Sequence, residues 1–116
     1  MNIKKDEQSQ IESIIEINYS KPLSFIRENK NHFPKTEILL SVLETLQAIS
    51  YYCKNSGTTN KEYIILKCLE TSKTDIQKAI KELESLISII PCGISLRNIL
   101  ETIIIYKKAT FKKAIG

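Results

Sequence analysis

An all-α fold, a compact bundle of five or six helices in a single domain over residues 1–116, is what this chain predicts. Three observations carry that expectation. Apolar side chains recur at three- and four-residue spacing through most of the chain. Glycine and proline number only three each, too few for a sheet protein with many tight turns. The composition, 42% hydrophobic and 26% charged, is that of a folded chain with room for one core.

The elements follow in order. Ile11, Ile14, Ile15 and Tyr19 form one stripe, which ends near Ser20-Lys21-Pro22. Proline is tolerated in a first helical turn, so Ser20 is expected to cap a short helix through Leu23, Phe25, Ile26 and Arg27. The polar run 28–34 reads as a loop. The next helix spans about residues 35–54, with Ile38, Leu39, Val42, Leu46, Ile49 and Cys53 inward and Tyr51 and Tyr52 near its end. Gly57 is the natural left-handed stop. Residues 61–70 are apolar nearly all round and predict a buried helix.

Ser72-Lys73-Thr74-Asp75 fits a capping box, in which a serine and an acid three residues later satisfy each other's free backbone donors. The helix it opens carries Ile76, Ile80, Leu83, Ile87 and Ile90 as a narrow seam, until Pro91-Cys92-Gly93 breaks it. Ser95 is expected to cap a last helix through Leu96, Ile99, Leu100, Ile103 and Ile104, fraying over residues 107–113.

Several classes of chemistry have no residues to carry them. His32 is the only histidine and sits in a loop without a motif around it, so a hydrolytic triad lacks its base. There is no G-x-x-x-x-G-K-[ST] or G-x-G-x-x-G phosphate loop. Cys53, Cys68 and Cys92 form no C-x-x-C pair and read as buried small hydrophobes, with a single internal bridge left open. The neighbouring acids Glu82 and Glu84, like Asp6 and Glu7, are expected to be solvated. No catalytic residue, metal ligand or intrinsic cofactor is assigned. No uncharged apolar run reaches the roughly 18–20 residues that span a bilayer, and the first residues lack a signal peptide's apolar stretch. A cytoplasmic, monomeric protein is the expectation.

Binding is better represented. Residues 72–116 carry eight basic and four acidic side chains, whereas both earlier thirds are balanced, so the net charge of +4 falls on the last two helices. That distribution points to an anionic partner. Lys73, Thr74, Gln77, Lys78 and Lys81 would form the outer face of the helix after Ser72, much as in the recognition helix of a winged helix-turn-helix protein. No wing follows, because Leu86-Ile87-Ser88-Ile89-Ile90-Pro91 lacks its glycine and paired strands. Arg97, Lys107 and Lys108 extend the candidate DNA-binding set. Two other groups combine rings with cations, as sites that stack bases and hold phosphates do. One is Arg27, Lys30, His32, Phe33 and Lys35; the other is Tyr51, Tyr52, Lys54 and Tyr63.

Taken as a whole, with its basic terminal helices, lysine- and isoleucine-rich composition and lack of an active-site motif, the chain resembles the helix-bundle accessory domain of archaeal plasmid primase-polymerases. The resemblance implies a non-catalytic domain, cut from a longer polypeptide whose catalytic polymerase domain holds the active site in cis. It implies two ligands, single-stranded template DNA and nucleoside triphosphates such as ATP with magnesium. The first would lie on the Lys73–Lys81 face and the second on the aromatic groups. Two other readings compete: a cytosolic bacteriocin-immunity bundle whose basic end meets a membrane partner, and a helix-turn-helix regulator.

Overall fold

The computed structural model describes residues 13–57, 67 and 70–115, and of residues 106–115 the helical backbone alone. Among these residues there are helices and turns and no strand, so the fold is all-α. After a single helical turn at 13–16 come α1 (Ser20–Glu28), α2 (Glu37–Ser56), α3 (Lys73–Glu84) and α4 (Gly93–Ile115). Of the expected helix over residues 61–70 only Lys67, which is helical, and Glu70, in a turn, are described; Ile11 of the first stripe lies outside the described residues. No helix among the described residues is long and apolar enough to cross a membrane.

α1 packs on α2, and α3 lies between α2 and α4. One core serves them all. It takes Leu23 and Ile26 from α1, Leu39, Val42, Leu43, Leu46 and Ile49 from α2, and Ile76, Ala79 and Leu83 from α3. α4 adds Leu96, Ile99, Leu100 and Ile103, and Ile14, Tyr19, Cys53, Leu86 and Ile90 belong to the same core. Burying one such leucine or isoleucine stabilises the fold by about 1.5–3 kcal/mol, so the seams hold the bundle together.

The helix ends differ from the expected ones, and each difference has a local cause. The first stripe stops being helical after residue 16, and Tyr19 stands outside it. Tyr19 is nonetheless 2% exposed, within the core, and its hydroxyl donates to the Ile14 carbonyl at 2.7 Å. The Ser50 hydroxyl of α2 donates to the next carbonyl, that of Ile15. Carbonyls that end a helix need such partners, and here two hydroxyls supply them. Ser20 is a helical residue rather than a cap; the Asn18 side-chain oxygen accepts from its N–H at 3.2 Å.

α1 closes at Asn29, whose backbone and side-chain N–H groups both donate to the Phe25 carbonyl, at 3.0 and 2.9 Å. α2 starts two residues later than expected, and its seam includes Leu43, which the sequence reading omitted. Gly57 ends it with φ 67°, a conformation that suits a residue without Cβ.

α3 stops at Glu84, short of the expected run through Ile90. The Ser85 hydroxyl donates to the Glu82 carbonyl, and Leu86 N–H turns back to the Leu83 carbonyl. Serines and β-branched isoleucines at 87–90 sustain a helix poorly. Tight turns replace it, and they still bury Leu86 and Ile90. Ser95 does not cap α4, which begins at Gly93. Cys92 precedes it with φ 62°, and its carbonyl accepts from Leu96 N–H. A Cβ on Gly93 would stand 2.3 Å from the Ile87 carbonyl oxygen, so this close approach requires glycine. α4 then continues helical to Ile115 instead of fraying. Its last turns are rich in alanine and lysine, good helix formers, and cations favour the negative end of the helix dipole.

Candidate functional site

α3 begins with a cap written in its own sequence. The Ser72 side chain accepts from Asp75 N–H at 3.5 Å, and an acid in the first turn complements the helix dipole. With the helix so placed, Ile76, Ala79 and Leu83 turn into the core. The 100° step per residue then carries Lys73, Thr74, Gln77, Lys78 and Lys81 to the other side, where all five are exposed. None of the three lysines has an ion-pair partner among the described residues. Lys73, Gln77 and Lys81 follow one another at single-turn intervals, about 6 Å apart along the axis. The expected cationic face is therefore assembled.

Its surroundings are less basic than the sequence totals suggest. Exposed Asp75 and Glu84 share α3, and residues 72–105 together carry four basic and four acidic side chains. The whole excess of +4 thus belongs to Lys107, Lys108, Lys112 and Lys113, on the last part of α4. The side chains of Lys107 and Lys108 lie outside the described residues. Arg97 is on α4 and is paired, its Nε donating to Glu101 Oε1 at 3.2 Å.

The expectation that Glu82 and Glu84 are both solvated holds for Glu84 and fails for Glu82. Glu82 is half-buried, and its Oε1 accepts from Leu39 N–H at 2.7 Å. Leu39 is in the first turn of α2, where backbone N–H groups have no partner within the helix. Thr36, at the N-cap position, makes no side-chain cap and is 2% exposed. Its hydroxyl instead donates to the Phe33 carbonyl at 3.0 Å. α3 therefore supplies a cap for α2 from 43 residues away. No spacing rule in the sequence points to this role.

The two aromatic–cation groups stand apart. Arg27, Lys30, His32, Phe33 and Lys35 surround the loop that leads into α2, whereas Tyr51, Tyr52 and Lys54 lie in its last turns. The 20 residues of α2 span about 30 Å, so a single nucleotide cannot draw on both groups. Within the first group, Arg27 Nη2 donates to Glu44 Oε1 at 3.0 Å. Phe33 is half-buried, its ring 6.3 Å from that of Phe25 and tilted by 32°. Both rings are partly buried against the core. Lys30, His32 and Lys35 are exposed. In the second group Tyr51 is 69% and Tyr52 50% exposed, and Lys54 is exposed beside them. Tyr63 lies outside the described residues.

The expectation of buried cysteines holds for Cys53 and fails for Cys92, and Cys68 lies outside the described residues. Cys53 is buried, and burial pushes its thiol pKa up; Cys92 is exposed, and both are free thiols. The described residues hold no group of three His, Cys, Asp or Glu side chains fit to bind a metal ion. Among the described residues a surface hollow lined by Ser20, Lys21, Ser24, Phe25, Glu28 and Pro91 joins α1 to the turn before α4. No family model, curated protein or solved structure matches this chain.

Proposed function

We propose that this chain is a non-catalytic accessory domain of a DNA primase, with single-stranded template held by the phosphates on the outer face of α3. The observation that carries this reading is that face: Lys73, Lys78 and Lys81 exposed with Thr74 and Gln77 on one side of a well-capped helix, all three cations without ion-pair partners among the described residues. Lysine spacing of one or two turns suits a run of phosphates, and unpaired ammonium groups release counterions when they meet them. In this reading Arg97, Lys107 and Lys108 of α4 belong to the same DNA-binding set.

Nucleoside triphosphates with magnesium are the second ligand in this reading. Lys30, His32 and Lys35 offer charge, while Tyr51, Tyr52 and Lys54 offer rings with a cation. The separation of the two groups means that one of them serves. The catalytic aspartates and metals then belong to a polymerase domain in cis, and this domain's contribution is to hold template and nucleotide before a stable duplex exists.

Fluorescence anisotropy with labelled oligothymidylate between 50 and 200 mM salt tests the reading. The affinity of the unsubstituted protein should fall with salt. Replacing Lys73, Lys78 and Lys81 together by alanine should lower the slope of log K against log salt by about 2, at roughly 0.7 per phosphate contact. An unchanged slope would sink the assignment of the face. Tight binding to one duplex sequence would replace the primase reading with a regulator's, although the described residues after α3 supply no wing strand. No binding to any nucleic acid would favour an immunity protein. For the nucleotide, NMR titration with magnesium ATP should shift amides at residues 27–35 or at 51–54, and silence at both would remove that ligand.

A further inference from the structure

Glu82 stands four residues after Lys78 on α3, the spacing at which opposite charges meet on a helix surface. Such a pair would neutralise one of the three cations of the exposed face. It is not made: the Glu82 carboxylate is turned to Leu39 N–H at 2.7 Å, and Lys78 is exposed without an ion pair among the described residues. The competition has a physical outcome. A lysine on the N-terminal side of a glutamate is the weaker orientation of such a pair. A half-buried amide at the positive end of α2's dipole is the stronger partner.

We infer that Glu82 is a positioning residue of the phosphate-binding face: by capping α2 it fixes α3 against that helix and leaves Lys78 unneutralised for the ligand. This rests on the reading of α3 as a surface for single-stranded DNA. The same carboxylate thus does two things through one bond. It satisfies a backbone donor that Thr36 does not, and it is withheld from the face that must stay cationic. Had α2 been capped by Thr36, Glu82 would be free to swing outward and cancel Lys78.

Two conservative substitutions separate this role from a purely structural one. Glu82→Gln keeps the acceptor for Leu39 N–H and removes the charge. Glu82→Asp keeps the charge on a side chain one methylene too short to reach. Binding of oligothymidylate is measured across salt, at a temperature where circular dichroism shows every variant folded. Glu82→Gln should retain the salt slope of the unsubstituted protein and bind at least as tightly. Glu82→Asp should lower the slope by about 0.7, the loss of one phosphate contact. Adding Lys78→Ala should then lower it little further, although in the unsubstituted background Lys78→Ala alone lowers it by the same amount.

The inference is overturned if Glu82→Asp keeps the original slope, or if Lys78→Ala has equal effect in both backgrounds. A fall in melting temperature without a change in slope is the purely structural result, and it also overturns it. If the unsubstituted protein binds oligothymidylate but Lys78→Ala changes nothing, this inference fails and the wider reading survives. If the unsubstituted protein does not bind, both fall.

Discussion

α3 and α2 begin in opposite ways. α3 caps itself, with Ser72 accepting from Asp75 three residues on. α2 is capped by a carboxylate 43 residues away, on a helix that has to be packed against it first. Both solve the same problem of first-turn N–H groups without partners. The difference shows that a local cap forms with its helix, whereas a borrowed one makes the start of one helix depend on the docking of another. In this bundle the borrowed cap also lies on the helix that carries the exposed lysines. The start of α4 is a third case, defined by a close backbone approach at Gly93.

That third case should give the largest effect. Gly93→Ala places a methyl group 2.3 Å from the Ile87 carbonyl oxygen, an atom of the backbone that cannot swing aside. Urea denaturation should show a loss at the upper end of the 1–3 kcal/mol that overpacking costs, roughly 3 kcal/mol. A loss under about 0.5 kcal/mol, the range of an indifferent surface change, would mean that the turn before α4 is not held this tightly.

The two caps come next and test the comparison directly. Glu82→Ala strips a half-buried amide of a charged acceptor and should cost about 1.5–3 kcal/mol. Ser72→Ala removes an exposed cap whose bond is long, 3.5 Å, and should cost about 1 kcal/mol or less. Native-state hydrogen exchange should localise the two losses, the first at the Leu39 amide and the second at Asp75. If Ser72→Ala proves the more damaging, the local cap is the one the bundle depends on, and the contrast between the helices is reversed.

Smaller effects are expected from groups that tie no helix end. The buried Cys53 thiol has a raised pKa, so the fold favours its neutral form. That contribution is complete below the thiol's unfolded pKa and is lost as pH rises through the folded value. Melting temperature should therefore fall at alkaline pH, and Cys53→Ala should flatten that limb. Alkylation followed by peptide mapping should label exposed Cys92 well before Cys53; equal rates would mean that the end of α2 opens readily. The least effect belongs to the pair of Arg27 and Glu44, both about half exposed. Arg27→Ala should change stability by about 0–1 kcal/mol, less at high salt. A larger loss would make this contact between α1 and α2 more than a surface ion pair.

How much of this was legible beforehand depended on the range of the interaction. The all-α class, the inward stripe of α2, its stop at Gly57, the Ser72 cap and the outward face of Lys73, Thr74, Gln77, Lys78 and Lys81 are all visible in residue spacing. Each follows from contacts within about one or two helical turns, where periodicity and intrinsic preference act. The charge total was also visible, but its placement was misleading. Eight basic residues after position 71 suggested two basic helices, whereas residues 72–105 are balanced.

Local patterns in the chain set the interiors of α1 to α4 and the side of α3 that faces the core. Packing across the bundle decided the remaining helix ends and what completes them. The Tyr19 and Ser50 hydroxyls close the first turn, Glu82 opens α2, and the carbonyl of Ile87 confines position 93 to glycine. The reason is physical: a helix leaves its terminal N–H and C=O groups unsatisfied, and burial obliges them to find partners wherever packing brings them. Those partners lie up to 43 residues away, beyond the reach of any local pattern.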